Sequence, residues 1–105
     1  MPVAPKPLWA ADLPATTTTF DLVRAAAAGD LVRLAQLLQA GADPNVVGTD
    51  WRSPLIHAAG QGRSDMVRAL VRAGARVDWQ DADKVTPLIL AAHGNYPDVA
   101  AYLIL

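Results

Sequence analysis

The chain of 105 residues has no cysteine, which excludes disulfide bonds, thiolate nucleophiles and cysteine-ligated metals. Its two histidines, His57 and His93, are too few to form a zinc site without cysteine partners. A net charge of −1 at pH 7 gives no electrostatic basis for binding nucleic acid or an anionic membrane surface. No apolar run reaches the length of a membrane span, and no signal-peptide pattern opens the chain, so we expect a cytoplasmic protein.

Residue combinations that would support catalysis are also scarce. Ser53 and His57 are four residues apart, so a nucleophile and its base can be drawn, but a serine directly before Pro54 is better explained as a helix N-cap. Gly60-Gln61-Gly62 is a lone glycine pair between two helical segments, not a phosphate-binding loop. No pair of carboxylates stands out from the other aspartates. We therefore expect a protein that is not an enzyme and that needs no cofactor.

Residues 53–75 form a pattern of two helices joined by a turn. Ser53 can cap the first helix, and Pro54 occupies the first helical position, where its missing N–H costs nothing. Apolar residues then recur at helical spacing until Gly60-Gln61-Gly62 breaks the helix. The second helix has one apolar and one charged face, and Gly74 ends it, where a left-handed residue is usually needed. Such a unit is too small to bury its own apolar face.

The same unit returns after 33 residues. Thr86-Pro87-Leu88-Ile89 matches Ser53-Pro54-Leu55-Ile56, and Ala91-Ala92 matches Ala58-Ala59. Between residues 41–72 and residues 74–105, ten positions are identical, against about two expected by chance from ordinary residue frequencies. A fixed period of this size is typical of a solenoid, in which neighbouring units stack to bury a continuous core.

These motifs resemble the ankyrin repeat family. The segment from Gly74 to Asp81, followed by Thr86-Pro87-Leu88 and Ala91-Ala92, is similar to the hairpin and first helix of an ankyrin repeat. The resemblance covers roughly residues 20–105 and implies an all-α fold, an ankyrin-repeat solenoid of stacked antiparallel helix pairs with short β-hairpin loops. It implies about three repeats, near residues 20–50, 51–83 and 84–105, with the last one truncated.

The chain departs from the family pattern at two kinds of position. Ile56 and Ile89 stand where the family usually has a histidine that links neighbouring repeats by hydrogen bonding. Trp51 and Lys84 stand where the family usually has the hairpin glycine. Because glycine tolerates backbone conformations that strain other residues, we expect these two turns to be strained or shaped differently.

The N-terminal segment differs in composition from the rest. Residues 1–19 contain four prolines and a run of threonines from Thr16 to Thr19, so we predict an extended, poorly ordered lead-in. The first helix is predicted to begin near Phe20 with a threonine as its cap. Leu8 and Trp9 are large apolar residues in this tail, and they either dock on the first repeat as a cap or remain unanchored.

The resemblance also implies where a partner would bind, because ankyrin repeats grip proteins with their hairpin tips and the exposed face of each first helix. Carried over position by position, the predicted contact residues are Thr49, Asp50, Trp51, Arg52, Gln61, Trp79, Asp83, Lys84, Val85 and His93. Trp51 and Arg52 are of types enriched at binding hot spots, so we expect truncating either to weaken binding without unfolding the domain. Packing over the turn is the alternative role for Trp51, and covering the hairpin base is the alternative for Trp79.

Two functions of different classes fit the sequence. The first is a protein-binding module whose rigid stack presents loops to a partner protein and needs no chemistry. The second is a structural or accessory ankyrin segment of a larger protein, whose repeats pack on their own chain or self-associate. The last helix, predicted from about Asp98 to Leu105, favours some version of the second, because Ile89, Ile104 and Leu105 have no following repeat to cover them.

Overall fold

The computed structural model describes residues 15–104, with backbone alone for residues 15–20 and Thr49. Within these residues lie six α-helices, which form three pairs in chain order: α1 (Ala15–Ala28) with α2 (Leu31–Gln39), α3 (Pro54–Gly60) with α4 (Ser64–Arg72), and α5 (Pro87–His93) with α6 (Pro97–Ile104). A short 3-10 turn (Thr49–Trp51) lies between the first and second pairs. Each pair is joined by two or three residues, a connection that makes its helices antiparallel. Helices α1, α3 and α5 contact one another in sequence, and so do α2, α4 and α6. The all-α stack predicted from the sequence is confirmed.

Local capping residues explain where the helices begin. The Ser53 hydroxyl accepts a hydrogen bond from the Ile56 N–H at 3.3 Å, and the Thr86 hydroxyl accepts from the Ile89 N–H at 3.2 Å. Asp30 caps α2 in the same way. Because each cap satisfies an N–H that the helix itself leaves without a partner, these three starts are determined by short-range chemistry, as the sequence predicts.

The start of α1 corrects one expectation. The helix begins at Ala15, not near Phe20, so residues 15–19 are helical and not part of an extended segment. Threonine is only a moderately weak helix former, costing well under about 1 kcal/mol relative to alanine, and four of them do not stop a helix. Pro14 is the first residue in that direction that breaks the pattern. Leu8 and Trp9, the proposed cap over the first repeat, lie outside the described residues.

The loops between the pairs correct a second expectation, since no β-strand occurs anywhere in residues 15–104. Each loop has two short-range backbone bonds of its own. In the first, the Gly48 N–H donates to the Arg52 carbonyl at 3.0 Å and the Trp51 N–H to the Gly48 carbonyl at 3.2 Å; in the second, the Asp81 N–H donates to the Val85 carbonyl at 3.0 Å and the Lys84 N–H to the Asp81 carbonyl at 2.9 Å. A ladder needs several such bonds in register. The loops therefore turn like hairpins without forming strands.

Close approach between successive pairs depends on a glycine in the turn that follows α1 and in the turn that follows α3. A Cβ atom added at Gly62, whose φ is +70°, would lie 2.5 Å from the ring of Tyr96. One repeat earlier, a Cβ added at Gly29 would lie 2.6 Å from the Arg63 guanidinium. Arg63 and Tyr96 are themselves 33 residues apart, so the contact is a periodic one. The two glycines permit both the left-handed turn and the stacking.

The core runs along the stack between the two rows of helices. Its large side chains with less than 2% exposure include Leu22, Leu34, Leu37, Leu55, Met66, Val67, Leu70 and Val99. Alanines fill the space between them, with Ala26, Ala58, Ala59 and Ala91 fully buried. Alanine at these positions brings the helices close together, and the continuous core expected of stacked units is present. Across residues 15–104 no helix is both long and apolar enough to span a membrane.

Candidate functional site

The two loops meet in a single surface feature, which we call the loop ridge and define as residues 49–52 and 79–85. The Ala82 N–H donates a hydrogen bond to the Asp50 carbonyl at 2.9 Å. The indole N–H of Trp79 donates to the Trp51 carbonyl at 2.8 Å. Residues nearly 30 positions apart in the chain thus form one continuous edge of the stack. The ridge contains eight of the ten predicted contact residues.

Trp51 occupies the outermost part of the ridge in an unusual backbone conformation. Its φ is +60°, and that of the preceding Asp50 is +62°, so two consecutive non-glycine residues are left-handed. Hydrogen bonds fix the Trp51 backbone on both sides. The Trp51 N–H donates to the Gly48 carbonyl at 3.2 Å, and the Trp51 carbonyl accepts from the indole N–H of Trp79. The residue is nevertheless 60% exposed. A fixed backbone thus carries a large aromatic ring that the fold does not bury.

Asp81 organises the second loop from inside. One carboxylate oxygen accepts hydrogen bonds from the Asp83 N–H at 2.8 Å and the Val85 N–H at 2.9 Å. The Lys84 N–H donates to the Asp81 carbonyl at 2.9 Å, and Lys84 itself is left-handed with a φ of +63°. The turn therefore keeps its shape without glycine at Lys84, because the buried aspartate satisfies its backbone donors.

The second carboxylate oxygen of Asp81 holds the first loop. It lies 3.5 Å from the Nε atom of Arg52, and the Asp81 side chain is only 1% exposed. A buried carboxylate without a counter-charge is costly, so we expect Arg52→Ala to lower stability. This differs from the expectation based on the sequence, in which Arg52 was a contact residue without a structural role.

Asn45 also links the two loops, and Arg76 contacts Trp79 within the second. The Asn45 side chain donates to the Gly74 carbonyl at 3.0 Å and accepts from the Arg76 N–H at 2.7 Å. The Arg76 guanidinium lies 5.8 Å from the centre of the Trp79 ring. Trp79 is partly buried, and its indole N–H bonds to Trp51 while its ring contacts Arg76, so this predicted contact residue also makes contacts within the loops.

Below the ridge lies a groove between α3 and α5 with a volume of about 250 Å³. Its lining residues are Arg52, Ile56, His57, Gly60, Gln61 and Leu90. Burial lowers the pKa of the His57 imidazole below its usual 6.5, and the nearby positive charge of Arg52 lowers it further. The groove thus places one permanent cation beside a partly buried imidazole held neutral in the absence of a counter-ion.

The two predicted contact residues outside the ridge lie at helix ends. Gln61 follows α3, and its amide nitrogen donates to the carbonyls of Ala26 at 3.1 Å and Ala27 at 2.8 Å. It therefore satisfies the open end of α1 in addition to lining the groove. His93 is the last residue of α5 and is exposed.

Asp81 and Asn45 were not identified from the sequence, and His57 was considered only as a possible catalytic base or zinc ligand and was given no role. The sequence does contain a signal for Asp81, because it lies at the turn position occupied by Gly48 one repeat earlier. An aspartate in a turn commonly accepts a hydrogen bond from the backbone two residues further on. Asn45 and Arg76 carry no comparable local signal. Throughout residues 15–104, no three His, Cys, Asp or Glu side chains are grouped so as to hold a metal ion.

The sequence profile of ankyrin repeats matches residues 22–105, in three copies. Among curated proteins, cyclin-dependent kinase 4 inhibitor B of Bos taurus is 34% identical over 116 residues, a match that takes in 79% of this chain and 88% of that protein.

Two much longer proteins match over a short part of their length. The 2-5A-dependent ribonuclease of Mus musculus is 39% identical over 71 residues, covering 67% of this chain but 10% of the ribonuclease. Cortactin-binding protein 2 of Rattus norvegicus is 44% identical over 68 residues, covering 64% of this chain but 4% of that protein. Because each match covers so small a share of the longer protein, it shows similarity to one segment and says nothing about the activity of the whole protein.

Proposed function

The chain belongs to the ankyrin repeat family, and we propose that it is a non-enzymatic module that presents the loop ridge and the groove below it to a partner protein. No step of this function requires a cofactor, a metal or nucleic acid. A cytoplasmic location goes with the proposal. The proposal specifies where the partner makes contact, which is the loop ridge and the groove below it.

The conformation of Trp51 is the observation that carries this proposal. A non-glycine residue with φ near +60° lowers stability by roughly 1 kcal/mol relative to an ordinary conformation. Burial of the Trp51 ring offsets little of this strain, because the residue is 60% exposed. Strain that the fold does not repay is concentrated at functional positions in proteins. An exposed tryptophan on a fixed backbone also loses little freedom when it binds, which favours affinity.

Two of the relatives support a protein as the partner. One is named as an inhibitor of cyclin-dependent kinase 4 and another as a protein that binds cortactin. Both names describe action on another protein. By similarity we propose a protein partner here as well, without transferring either target.

The test is an affinity capture from a lysate of the source organism with three immobilised proteins: wild type, Trp51→Ala and Val32→Ala. Val32 is 70% exposed on α2, outside both the ridge and the groove, so it controls for loss of any exposed apolar group. We expect at least one protein to be retained by wild type and Val32→Ala and lost from Trp51→Ala, with unchanged melting temperatures. Equal retention on all three, or an unfolded Trp51→Ala variant, would contradict the proposal.

A second candidate function, self-association or packing on another part of a longer chain, is favoured by the outer side of the last helix pair. Ile89 is 50% exposed and Ile104 is 71% exposed, and Ala92 and Ala101 beside them are also exposed. We call this set the end face. Contiguous exposed apolar groups of this kind commonly mark an interaction site.

Light scattering over a concentration series tests this second candidate. We expect the wild-type mass to rise with concentration and Ile104→Glu to remain monomeric. Val32→Glu introduces the same charge at a position of matching exposure, 70%, and should behave like the wild type. A wild type that is monomeric at every concentration would argue against self-association through the end face.

A further inference from the structure

The groove below the loop ridge combines features that the binding of an apolar side chain would not need. Arg52 contributes a guanidinium at its upper rim and His57 an imidazole on its wall, while Leu90 supplies apolar surface and Gly60 has no side chain to fill the space. Its volume of about 250 Å³ is too small for a folded element but sufficient for a single side chain of a partner.

Arg52 is only partly used by the fold. Its Nε atom faces the buried Asp81 carboxylate at 3.5 Å, and the side chain remains 46% exposed. Among the described residues, the terminal guanidinium nitrogens have no hydrogen-bond partner. The ion pair fixes the direction of the side chain and leaves the planar fork with donors that match a carboxylate.

Gly60 keeps the groove open. It is the last residue of α3. A Cβ atom placed there would lie 3.4 Å from the Leu90 side chain, an ordinary contact that would not strain the backbone. A side chain at this position would therefore extend into the space between α3 and α5, which glycine leaves open.

We propose that this groove is a carboxylate-binding subsite, in which Arg52 and His57 together receive an acidic side chain of the partner protein while Leu90 contacts its methylene groups. The inference rests on the proposed function and specifies the chemistry of the partner at one point. The Arg52 fork donates two hydrogen bonds, and the His57 imidazole takes up a proton and donates a third.

Proton uptake follows from the surroundings of His57. In the unbound protein burial and Arg52 favour the neutral imidazole, and a bound carboxylate would reverse this balance. One repeat earlier, the position equivalent to His57 is Arg24 of α1, whose Nη1 atom lies 4.0 Å from the Asp21 carboxylate. One repeat later, the equivalent position is the uncharged Leu90 of α5.

The other charged groups near the groove are the Asp81 carboxylate at the loop and the exposed His93 one turn beyond Leu90. The neighbouring helix α4 packs on α3 through buried apolar residues, and its arginines and its aspartate are exposed. Arg52 is therefore the charge that acts most directly on His57. Affinity for an acidic side chain should rise as the pH falls from about 7.5 towards the pKa of the free imidazole.

The experiment uses the whole chain and two short probes, acetyl-Leu-Glu-Leu amide and acetyl-Leu-Gln-Leu amide, which differ only in charge. Binding is followed by NMR, and the pKa of each histidine is read from its imidazole carbon shifts. We expect the glutamate peptide to bind about tenfold more tightly than the glutamine peptide, the difference that charge-assisted hydrogen bonds typically make. We also expect it to raise the pKa of His57 and leave that of His93 unchanged.

Variants keep the result interpretable. Arg52→Gln should abolish the preference for glutamate, and since it also removes the partner of Asp81, Gly60→Val provides a second variant that fills the groove without touching either charge. His57→Gln should remove the pH dependence, whereas His93→Gln should retain it. Equal binding of both peptides, a pKa change at His93 in place of His57, or unchanged binding by Gly60→Val would overturn the proposal.

The peptide titration needs no cellular partner, so the two proposals fail separately. A partner lost from Trp51→Ala together with no preference for the glutamate peptide would overturn the carboxylate subsite and leave the proposed function standing. A glutamate preference without any Trp51-dependent partner would support the subsite and contradict the proposed function of the ridge.

Discussion

Helices α3 and α5, from the second and third repeats, begin with the same Pro-Leu-Ile motif and yet differ in burial. Ile56 is 1% exposed, and Ile89, the same residue type 33 positions later, is 50% exposed. Helix α5 covers one side of α3, whereas no other helix among the described residues covers the outer side of α5. The contribution of a side chain to stability is therefore set by its place in the stack and not by its motif.

The loops of the two repeats also differ, but here the third repeat makes more contacts than the second. Gly48 and Asp81 hold the same position and make the same backbone bond, but only Asp81 has a carboxylate to satisfy the donors of its loop. That carboxylate also pairs with Arg52 of the preceding loop. The third repeat, less covered in its helices, is thus the one that stabilises the loop ridge.

The largest expected effect is on the paired isoleucines. Ile56→Ala removes a buried side chain and should lower the free energy of unfolding by about 2–5 kcal/mol. Leu70→Ala, at a position with 0% exposure, should fall in the same range. Ile89→Ala should change it by no more than about 0.5 kcal/mol, the usual limit for surface substitutions. Urea titrations of the variants measure this, and equal losses at Ile56 and Ile89 would mean that the end face is covered in solution.

The next effect concerns the buried aspartate. Asp81→Ala leaves two backbone donors and Arg52 without their partner, so it should cost about 1–3 kcal/mol. Asp83→Ala is the matched control, because its side chain is exposed and it should stay within about 0.5 kcal/mol of the wild type. Denaturant titration again gives the values. A loss at Asp83 as large as that at Asp81 would show that the carboxylate is not what holds the ridge.

A smaller effect compares the two left-handed positions. Lys84→Gly relieves a strained φ of +63° but makes the unfolded chain more flexible, so we expect a net gain of about 0.5 kcal/mol. Trp51→Gly should give a similar gain if the indole makes no useful contact within the fold. Thermal melts of both variants test this. A clear loss of stability for Trp51→Gly alone would indicate that the ring packs on its own loop, against its role as a binding residue.

The smallest effect is the pH dependence due to His57. Burial lowers its pKa in the folded protein below the usual 6.5, so the unfolded chain binds more protons in this range. The contribution to stability is complete above about pH 6.5 and is lost as the pH falls through the folded-state pKa. His57→Leu, which copies Leu90 of the next repeat, should remove this part of the dependence. Denaturant titrations of the two proteins at several pH values that show parallel curves would contradict the assignment.

Much of the local structure could be predicted because its causes are local. Ser53, Thr86 and Asp30 cap helices through bonds to residues three positions away, and Gly74 ends one with a φ of +100°. The expectation of unusual turns at Trp51 and Lys84 was confirmed by their positive φ angles. The early start of α1 was missed, because four threonines in succession do not exclude a helix.

The period, the capped helix starts and the left-handed turns follow from short stretches of sequence, since each depends on a few neighbouring residues. By contrast, the burial of Asp81 beneath Arg52, the bond from Trp79 to Trp51 and the closing of the α1 end by Gln61 depend on the stacking of the helix pairs. These contacts join residues 28 to 35 positions apart, and their partners become neighbours only when one helix pair stacks on the next. The same stacking decides which of two identical isoleucines is removed from water, because burial depends on what lies on the other side of the helix.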